Sequence, residues 1–142
     1  MSNLVLEIKQ GEMMVVNGAA IRFRTKTRIE LTSRARFLFG KQLLAPSEAT
    51  TPARKIYYAL QTAYVGTDDQ RGLALAEARE LSIRYAATAD SPHVVHVLTL
   101  IMEAAESDRF YASLKLARRL MRYEDALAQG SATADAELAD PQ

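Results

Sequence analysis

The chain has 142 residues, of which 49% are hydrophobic and 25% charged, a composition typical of one folded domain that excludes collagen-like and wholly disordered chains. It contains no cysteine, which excludes disulfides, a thiol nucleophile and cysteine-based metal sites. The formal charge is +1, yet residues 1–55 carry ten basic and four acidic residues, a balance of +6, and the remainder stands at −5. This asymmetry indicates that the first half meets a polyanion.

The first strands are predicted by alternation of apolar and polar residues. Residues 4–8 alternate with the period of a half-buried strand, and residues 13–16 form a second apolar run. Asn17-Gly18 follows at once, and this dipeptide best tolerates the positive φ angles of a type I′ hairpin turn.

A longer alternating stretch runs from Ile21 to Thr32 without a break. It is long for one strand, so we expect a turn near Thr25-Lys26-Thr27 and two strands that pair with each other. Phe37 to Phe39 offers a last strand. The sequence therefore predicts a small antiparallel sheet in residues 1–50.

After residue 50 the apolar residues recur at helical spacing. Thr51-Pro52 and Ser91-Pro92 each place an N-cap residue before a proline, and Gly66 supplies a stop between them. A further helix is expected from Asp68 or Asp69. About four helices are therefore predicted in residues 51–130.

The last two predicted helices differ in character. Val94 to Met102 is so apolar that we expect a central helix buried on most sides, although its valines leave a strand open. The final helix is predicted from about Asp108 to Ala128, with Lys115, Arg118, Arg119 and Arg122 opposite its apolar rows. Residues 131–142 are small, polar and acidic, which predicts a disordered tail. The fold class is α+β, with an N-terminal antiparallel sheet followed by a helical bundle.

The even positions of the second strand region carry positive charge. Side chains at alternate positions of a strand share one face at intervals of about 6.6–6.8 Å, close to the spacing of phosphates along an extended nucleic acid strand. The same pattern fits a plain solvated face, so the residues alone leave both interpretations open. The four residues are Arg22, Arg24, Lys26 and Arg28.

Few residues point to catalysis. His93 and His96 lie three apart, which could present two metal ligands, but a zinc site needs three or four. No nucleophile elbow or phosphate loop occurs. We expect no enzyme, no metal and no cofactor. No apolar run reaches the roughly 18 residues of a membrane span, and the start lacks a signal-peptide pattern, so we expect a soluble, cytoplasmic protein.

Three stretches together resemble the FlbT family of flagellar biosynthesis regulators. Residues 6–12 and 16–19 are similar to its opening strand, Gly-Glu turn and Asn-Gly hairpin. Residues 50–61 resemble its Thr-Pro-Ala-Arg-x-Ile-Tyr segment, and residues 110–120 with Tyr123-Glu124 resemble its C-terminal motif. The resemblance spans nearly the whole chain in the right order.

This resemblance implies a post-transcriptional regulator that acts at the 5′ untranslated region of flagellin mRNA, commonly as a repressor that promotes decay. It also implies a partner of the FlaF family and a link to flagellin. A competing hypothesis is a protein-interaction module with only an indirect effect on mRNA, and homo-oligomers stay open. The candidate RNA-binding residues are Arg22, Arg24, Lys26, Arg28, Arg34, Arg36, Arg54 and Lys55; the candidate partner-binding residues are Ile56, Tyr57, Leu60 and Tyr64.

Overall fold

The computed structural model describes residues 4–139, in which five short strands precede four helices. This is the α+β class that the sequence predicts. Short 3-10 segments lie at Gly40–Gln42, Pro46–Glu48 and Ala134–Leu138. The strands are β1 (Leu4–Ile8), β2 (Met13–Val16), β3 (Ala19–Arg22), β4 (Thr27–Leu31) and β5 (Phe37–Phe39), and the helices are α1 (Pro52–Val65), α2 (Asp68–Thr88), α3 (Pro92–Glu106) and α4 (Phe110–Ala128).

The first four strands form the two arms of one long antiparallel hairpin. β1 pairs with β4 and β2 with β3, and each Cα pair in both sheets joins residues whose numbers add to the same total, as Leu4 with Leu31 and Met14 with Ile21 do. The arms meet at Asn17 and Gly18, whose φ angles of 48° and 87° confirm the predicted turn. β5 pairs with the other edge of β2, which gives one sheet of two strands and one of three.

The prediction that the two halves of the alternating stretch pair with each other is wrong. β3 and β4 are successive parts of the second arm, separated by a bend at Arg24-Thr25. The first arm turns beside it, at Gly11 with φ 85°. Phe23 connects the arms there, because its carbonyl accepts from the Gly11 N–H at 2.7 Å and its own N–H donates to the Glu12 carbonyl at 3.0 Å. The second arm pairs with a first arm of equal length, so it has no need to pair with itself.

The hairpin is folded back at this bend, which comprises residues 9–12 and 23–26. Ile8 and Met14 lie on either side of it and are only 1% and 2% exposed, yet both lie outside the apolar cluster formed with the helices. Leu4 and Leu31 at one end of the hairpin line the same groove as Asn17 at the other end. The bend is therefore the apex of a folded hairpin and encloses a small apolar core.

The helix starts follow the predicted caps. The Thr51 side chain accepts a hydrogen bond from the Arg54 N–H at 3.2 Å before α1, and the Ser91 side chain accepts one from the His93 N–H at 3.2 Å before α3. Both helices then begin with a proline. Within residues 4–139, none of the helices is long and apolar enough to cross a membrane.

The central helix is α1 and not α3. α1 packs against α2 and α4 and also contacts β5, which buries more than half of its residues. α3 lies to one side, where Val95, His96 and Thr99 are exposed, so the expectation that it is buried on most sides is wrong. Hydropathy alone cannot identify the central helix, because α1 fills its buried face partly with alanines and tyrosines.

The segment predicted to be a disordered tail forms structure in the part that is described. Its 3-10 segment packs against α4 and α3, with Ala134 and Leu138 buried. Glu137 lies 3.4 Å from the Arg122 guanidinium of α4. Two apolar side chains are enough to hold this short segment, a signal that composition averaged over residues 131–142 conceals. Residues 140–142 of that prediction lie outside the described residues.

Glu124 of α4 joins the N-terminus of α1 to the rest of the bundle. Its carboxylate accepts from the Thr51 hydroxyl at 2.5 Å and from the Ala53 N–H at 2.9 Å, and its side chain is only 12% exposed. Burial raises the pKa of the Tyr85 hydroxyl, and the negative charge of Glu124 raises it further. One carboxylate thus satisfies two donors at the start of α1 and meets a tyrosine of α2.

We predict that Glu124→Ala lowers the free energy of unfolding by about 2–4 kcal/mol, because it leaves buried donors without an acceptor. Urea denaturation followed by circular dichroism measures the change. The control is Glu77→Ala, which removes an exposed carboxylate of α2 and should cost less than about 0.5 kcal/mol. Equal losses in the two variants would contradict this role for Glu124.

Candidate nucleic-acid interface

The basic arm, defined as Arg22, Arg24, Lys26 and Arg28, follows the outer arm of the folded hairpin. All four side chains are exposed, whereas Phe23, Thr27 and Ile29 are partly buried. The bend corrects the prediction that all four side chains share one face of a strand. Arg22 ends β3 in one sheet, whereas Arg28 lies on β4 in the other. The four cations therefore do not form a regular row along one strand. They are distributed on both sides of the bend instead.

The four side chains of the basic arm differ in the hydrogen bonds and ion pairs that they form. Arg28 forms an ion pair with Glu7 at 3.0 Å, and this hydrogen bond and charge hold the pKa of the Glu7 carboxyl below its usual range. Arg22 donates to the Gly11 carbonyl at 3.4 Å. Arg24 and Lys26 form no hydrogen bond or ion pair with their side chains within residues 4–139. The two cations of the basic arm without a hydrogen bond or ion pair, Arg24 and Lys26, thus lie at the apex.

Lys9 belongs to the same apex and was missed by sequence reasoning. Lys9 is the residue after β1, and Lys26 is the residue before β4. The last pair between these two strands joins Ile8 to Thr27. The Lys9 side chain is exposed. Because β1 and β4 are antiparallel neighbours, Lys9 and Lys26 leave the sheet side by side. The available signal was the Gln10-Gly11 turn, once the pairing of the arms is known. We define the apex cations as Lys9, Arg24 and Lys26.

A second basic feature is a groove of about 1040 Å³ between the loop after β4 and the turn that joins α1 to α2. Arg34, Arg36 and Arg71 line it, together with Asp68 and Asp108. Arg71 pairs with Asp68 at 2.9 Å and Arg36 pairs with Asp108 at 2.9 Å. Arg34 is exposed and has no such partner in the described part of the chain, so it is the arginine of this groove that can accept an anion.

Arg36 serves the packing of the two halves of the protein. Its guanidinium lies 5.7 Å from the ring centre of Tyr64 and 5.5 Å from that of Phe110. Its backbone N–H donates to the Asn17 side chain at 3.2 Å, so the hairpin turn is tied to the same place. The guanidinium is held between two rings and Asp108, which makes Arg36 a clamp between sheet and helices and not a free cation.

The two cations predicted on α1 lie apart from the basic arm in the fold. Arg54 pairs with Asp125 at 3.0 Å and lies 3.9 Å from Glu124, and the hydrogen bond with Asp125 raises the pKa of its guanidinium. The acidic half of the chain therefore neutralises it. Lys55 is exposed beside it. The basic arm and Lys9 form one surface at the bend, and Arg34 lies in the separate groove at the other end of the folded hairpin.

The predicted partner surface on α1 is mostly core. Ile56, Tyr57 and Leu60 are buried, and the Tyr57 hydroxyl donates to the Gln42 carbonyl at 2.7 Å. Arg118 of α4 donates to that hydroxyl at 2.9 Å and lies over the same ring. Tyr64 is half-buried and stacked on Phe110. A partner surface on α1 cannot include the three buried side chains, whose helical spacing indicates packing inside the bundle.

Both histidines of α3 are exposed, and His93 has Asp135 at 3.6 Å. Two groups of this kind do not complete a metal site. Within residues 4–139, no group of three or more histidine, cysteine, aspartate or glutamate side chains is placed to hold a metal ion.

Comparison with known proteins gives a consistent result over nearly the whole chain. Residues 4–128 match the profile of a family described as "Flagellar protein FlbT". A relative from Bradyrhizobium diazoefficiens, named "Probable flagellum biosynthesis repressor protein FlbT 2", is 30% identical over 128 residues, which cover 90% of this chain and 93% of the relative. A relative from Brucella ovis, "Probable flagellum biosynthesis repressor protein FlbT", is 29% identical over 113 residues, covering 80% and 74%. No solved structure is significantly similar.

The contrast between the two loop arginines is testable by stability. We predict that Arg36→Ala lowers the free energy of unfolding by about 1–2 kcal/mol, because it removes the cation over two rings and the ion pair with Asp108. Arg34→Ala, the matched control two residues away, should change it by less than about 0.5 kcal/mol. Thermal or urea unfolding measures both, and an equal loss in the control would contradict the distinction.

Proposed function

Because the chain belongs to the FlbT family of flagellar proteins, we propose that it is a post-transcriptional regulator that binds the 5′ untranslated region of flagellin mRNA and represses translation or promotes decay. The names of the relatives, which call them probable repressors of flagellum biosynthesis, support the regulatory part of this proposal. The apex cations carry the RNA-binding part, because they are basic and exposed and their side chains form no hydrogen bond or ion pair within the described residues. We place this activity in the cytoplasm, where mRNA is translated.

The geometry favours contact with phosphates over stacking on bases. Phe23, the aromatic residue between Arg22 and Arg24, is half-buried and connects the two hairpin arms through backbone hydrogen bonds. Arginine and lysine side chains around a corner can follow the backbone of a folded leader. Such contacts give affinity without reading sequence, so we propose that the shape of the leader, or a partner of the FlaF type, supplies the choice of target.

The affinity for a flagellin leader should depend strongly on salt. If about four to six phosphates of unpaired RNA are neutralised, the logarithm of the binding constant falls against the logarithm of salt concentration with a slope of roughly −3 to −4. Gel-shift titrations with purified protein at several salt concentrations measure this slope. An affinity independent of salt, or binding that requires an added protein partner, would contradict direct contact through phosphates.

A matched pair of variants locates the contact. Changing the apex cations Lys9, Arg24 and Lys26 to Glu should weaken leader binding by at least about tenfold and reduce the salt slope by roughly 2, because three phosphate contacts are lost. Changing the exposed Lys41, Arg109 and Lys115 to Glu alters the net charge equally and should leave most of the affinity. Equal weakening by both sets would assign the binding to net charge alone and overturn the role of the apex.

A further inference from the structure

The outer surface of α2 is unusually apolar. Among the large apolar side chains of the described residues, the two most exposed are both on this helix, Leu73 at 79% and Ile83 at 62%. The buried residues Ala74, Ala78 and Ser82 lie on the opposite side, against the rest of the bundle. α2 therefore carries large exposed apolar side chains on its outer side, among the charged Arg79, Glu80 and Arg84.

The outer face of α2 has a knob and a hollow of matching kind. At 3.6 residues per turn, Gly72, Ala76, Ile83 and Ala87 fall within about 60° of one another around the helix. A hollow of about 500 Å³ runs between Gly72 and Ile83 and is also lined by Ala76 and by the charged Arg79, Glu80 and Arg84. A side-chain carbon added at Gly72 would meet no atom within 4 Å. The face thus has a branched side chain at one end of the hollow and a residue without a side chain at the other.

The charges at the two ends of α2 are of opposite sign. Asp69 lies in its first turn and forms no ion pair within residues 4–139, while Arg84 lies near the other end, with Glu80 at 2.8 Å. Side by side and parallel, two copies would set aspartate against aspartate and arginine against arginine. Antiparallel copies set Asp69 beside Arg84, and the helix dipoles also oppose.

We propose that α2 is the interface of a homodimer, packed antiparallel against α2 of a second copy with the two-fold axis near Ala76. Ile83 then enters the hollow beside Gly72 of the partner subunit, and Asp69 faces Arg84 of the partner subunit. In this register Asp69 is level with Arg84, and Ile83 is offset from Gly72 by two residues, about 3 Å along the helix. Ile83, the hollow beside Gly72, Asp69 and Arg84 all lie on one helix. A second copy of the chain therefore supplies the matching member of each pair.

Single-cysteine variants test this geometry directly, since the chain has no cysteine of its own. Ala76→Cys lies beside the proposed axis and should form a disulfide-linked dimer on mild oxidation. Ala87→Cys lies on the same face but about 31 Å from its own copy in an antiparallel pair, and should not cross-link. Cross-linking of both variants indicates a parallel pair, and cross-linking of neither indicates another occupant; each result would overturn the proposal.

The oligomeric state gives the second readout. By analytical ultracentrifugation the wild-type protein should be a dimer and Ile83→Glu a monomer with an unchanged helix content, because the side chain lies outside the core. Leu127→Glu is the control, since Leu127 is 51% exposed on α4, and it should stay dimeric. A monomeric wild type, or a dimer that survives Ile83→Glu, would contradict the interface.

Discussion

Pairing of the two hairpin arms in a single register decides where the positive charge of this protein lies. Because β1 meets β4 and β2 meets β3 with the same offset, both arms must change direction at the same level. The fold-back buries Ile8 and Met14 and places Lys9, Arg24 and Lys26 at the outside of the corner. If the second arm had formed a hairpin with itself at Thr25, these three cations would not lie at one corner. The proposed RNA surface is thus a consequence of backbone pairing.

The acidic second half of the chain explains why only some of the cations are available. Arg36, Arg54 and Arg118 are each held by a carboxylate, a carbonyl or an aromatic ring, and each connects parts of the fold that are distant in sequence. Arg36 and Arg118 stabilise the docking of the N-terminal region on the helices, and Arg54 joins α1 to α4. Within residues 4–139, the cations without such partners include the apex cations and Arg34, together with Lys41, Lys55, Arg109 and Lys115 on other parts of the surface. An overall charge of +1 therefore conceals a separation between structural and available positive groups.

Local signals in the sequence were sufficient for the elements but not for their partners. Thr51-Pro52, Ser91-Pro92 and Asn17-Gly18 act on their own neighbours, so the helix starts and the hairpin turn followed from them. The choice of strand partner, the central position of α1 and the burial of Leu138 depend on residues far away in the chain, which periodicity does not report. For the same reason Arg54 looked available and Ile56 looked like surface, while Lys9 was overlooked. Part of the site, the basic arm, was predictable because charged side chains of a small sheet stay exposed whatever the strand partner; exposure alternates along β4, whereas all of β3 is exposed.

The proposed RNA-binding surface lies at the corner of the folded hairpin. Photo-cross-linking of the full chain to a flagellin leader, followed by mass spectrometry of the cross-linked peptides, locates the residues that RNA contacts. We expect cross-links on the peptides that contain Lys9 and residues 22–28, with a weaker set around Arg34. Cross-links confined to the helices, in particular to the exposed side chains of α4, would contradict this placement.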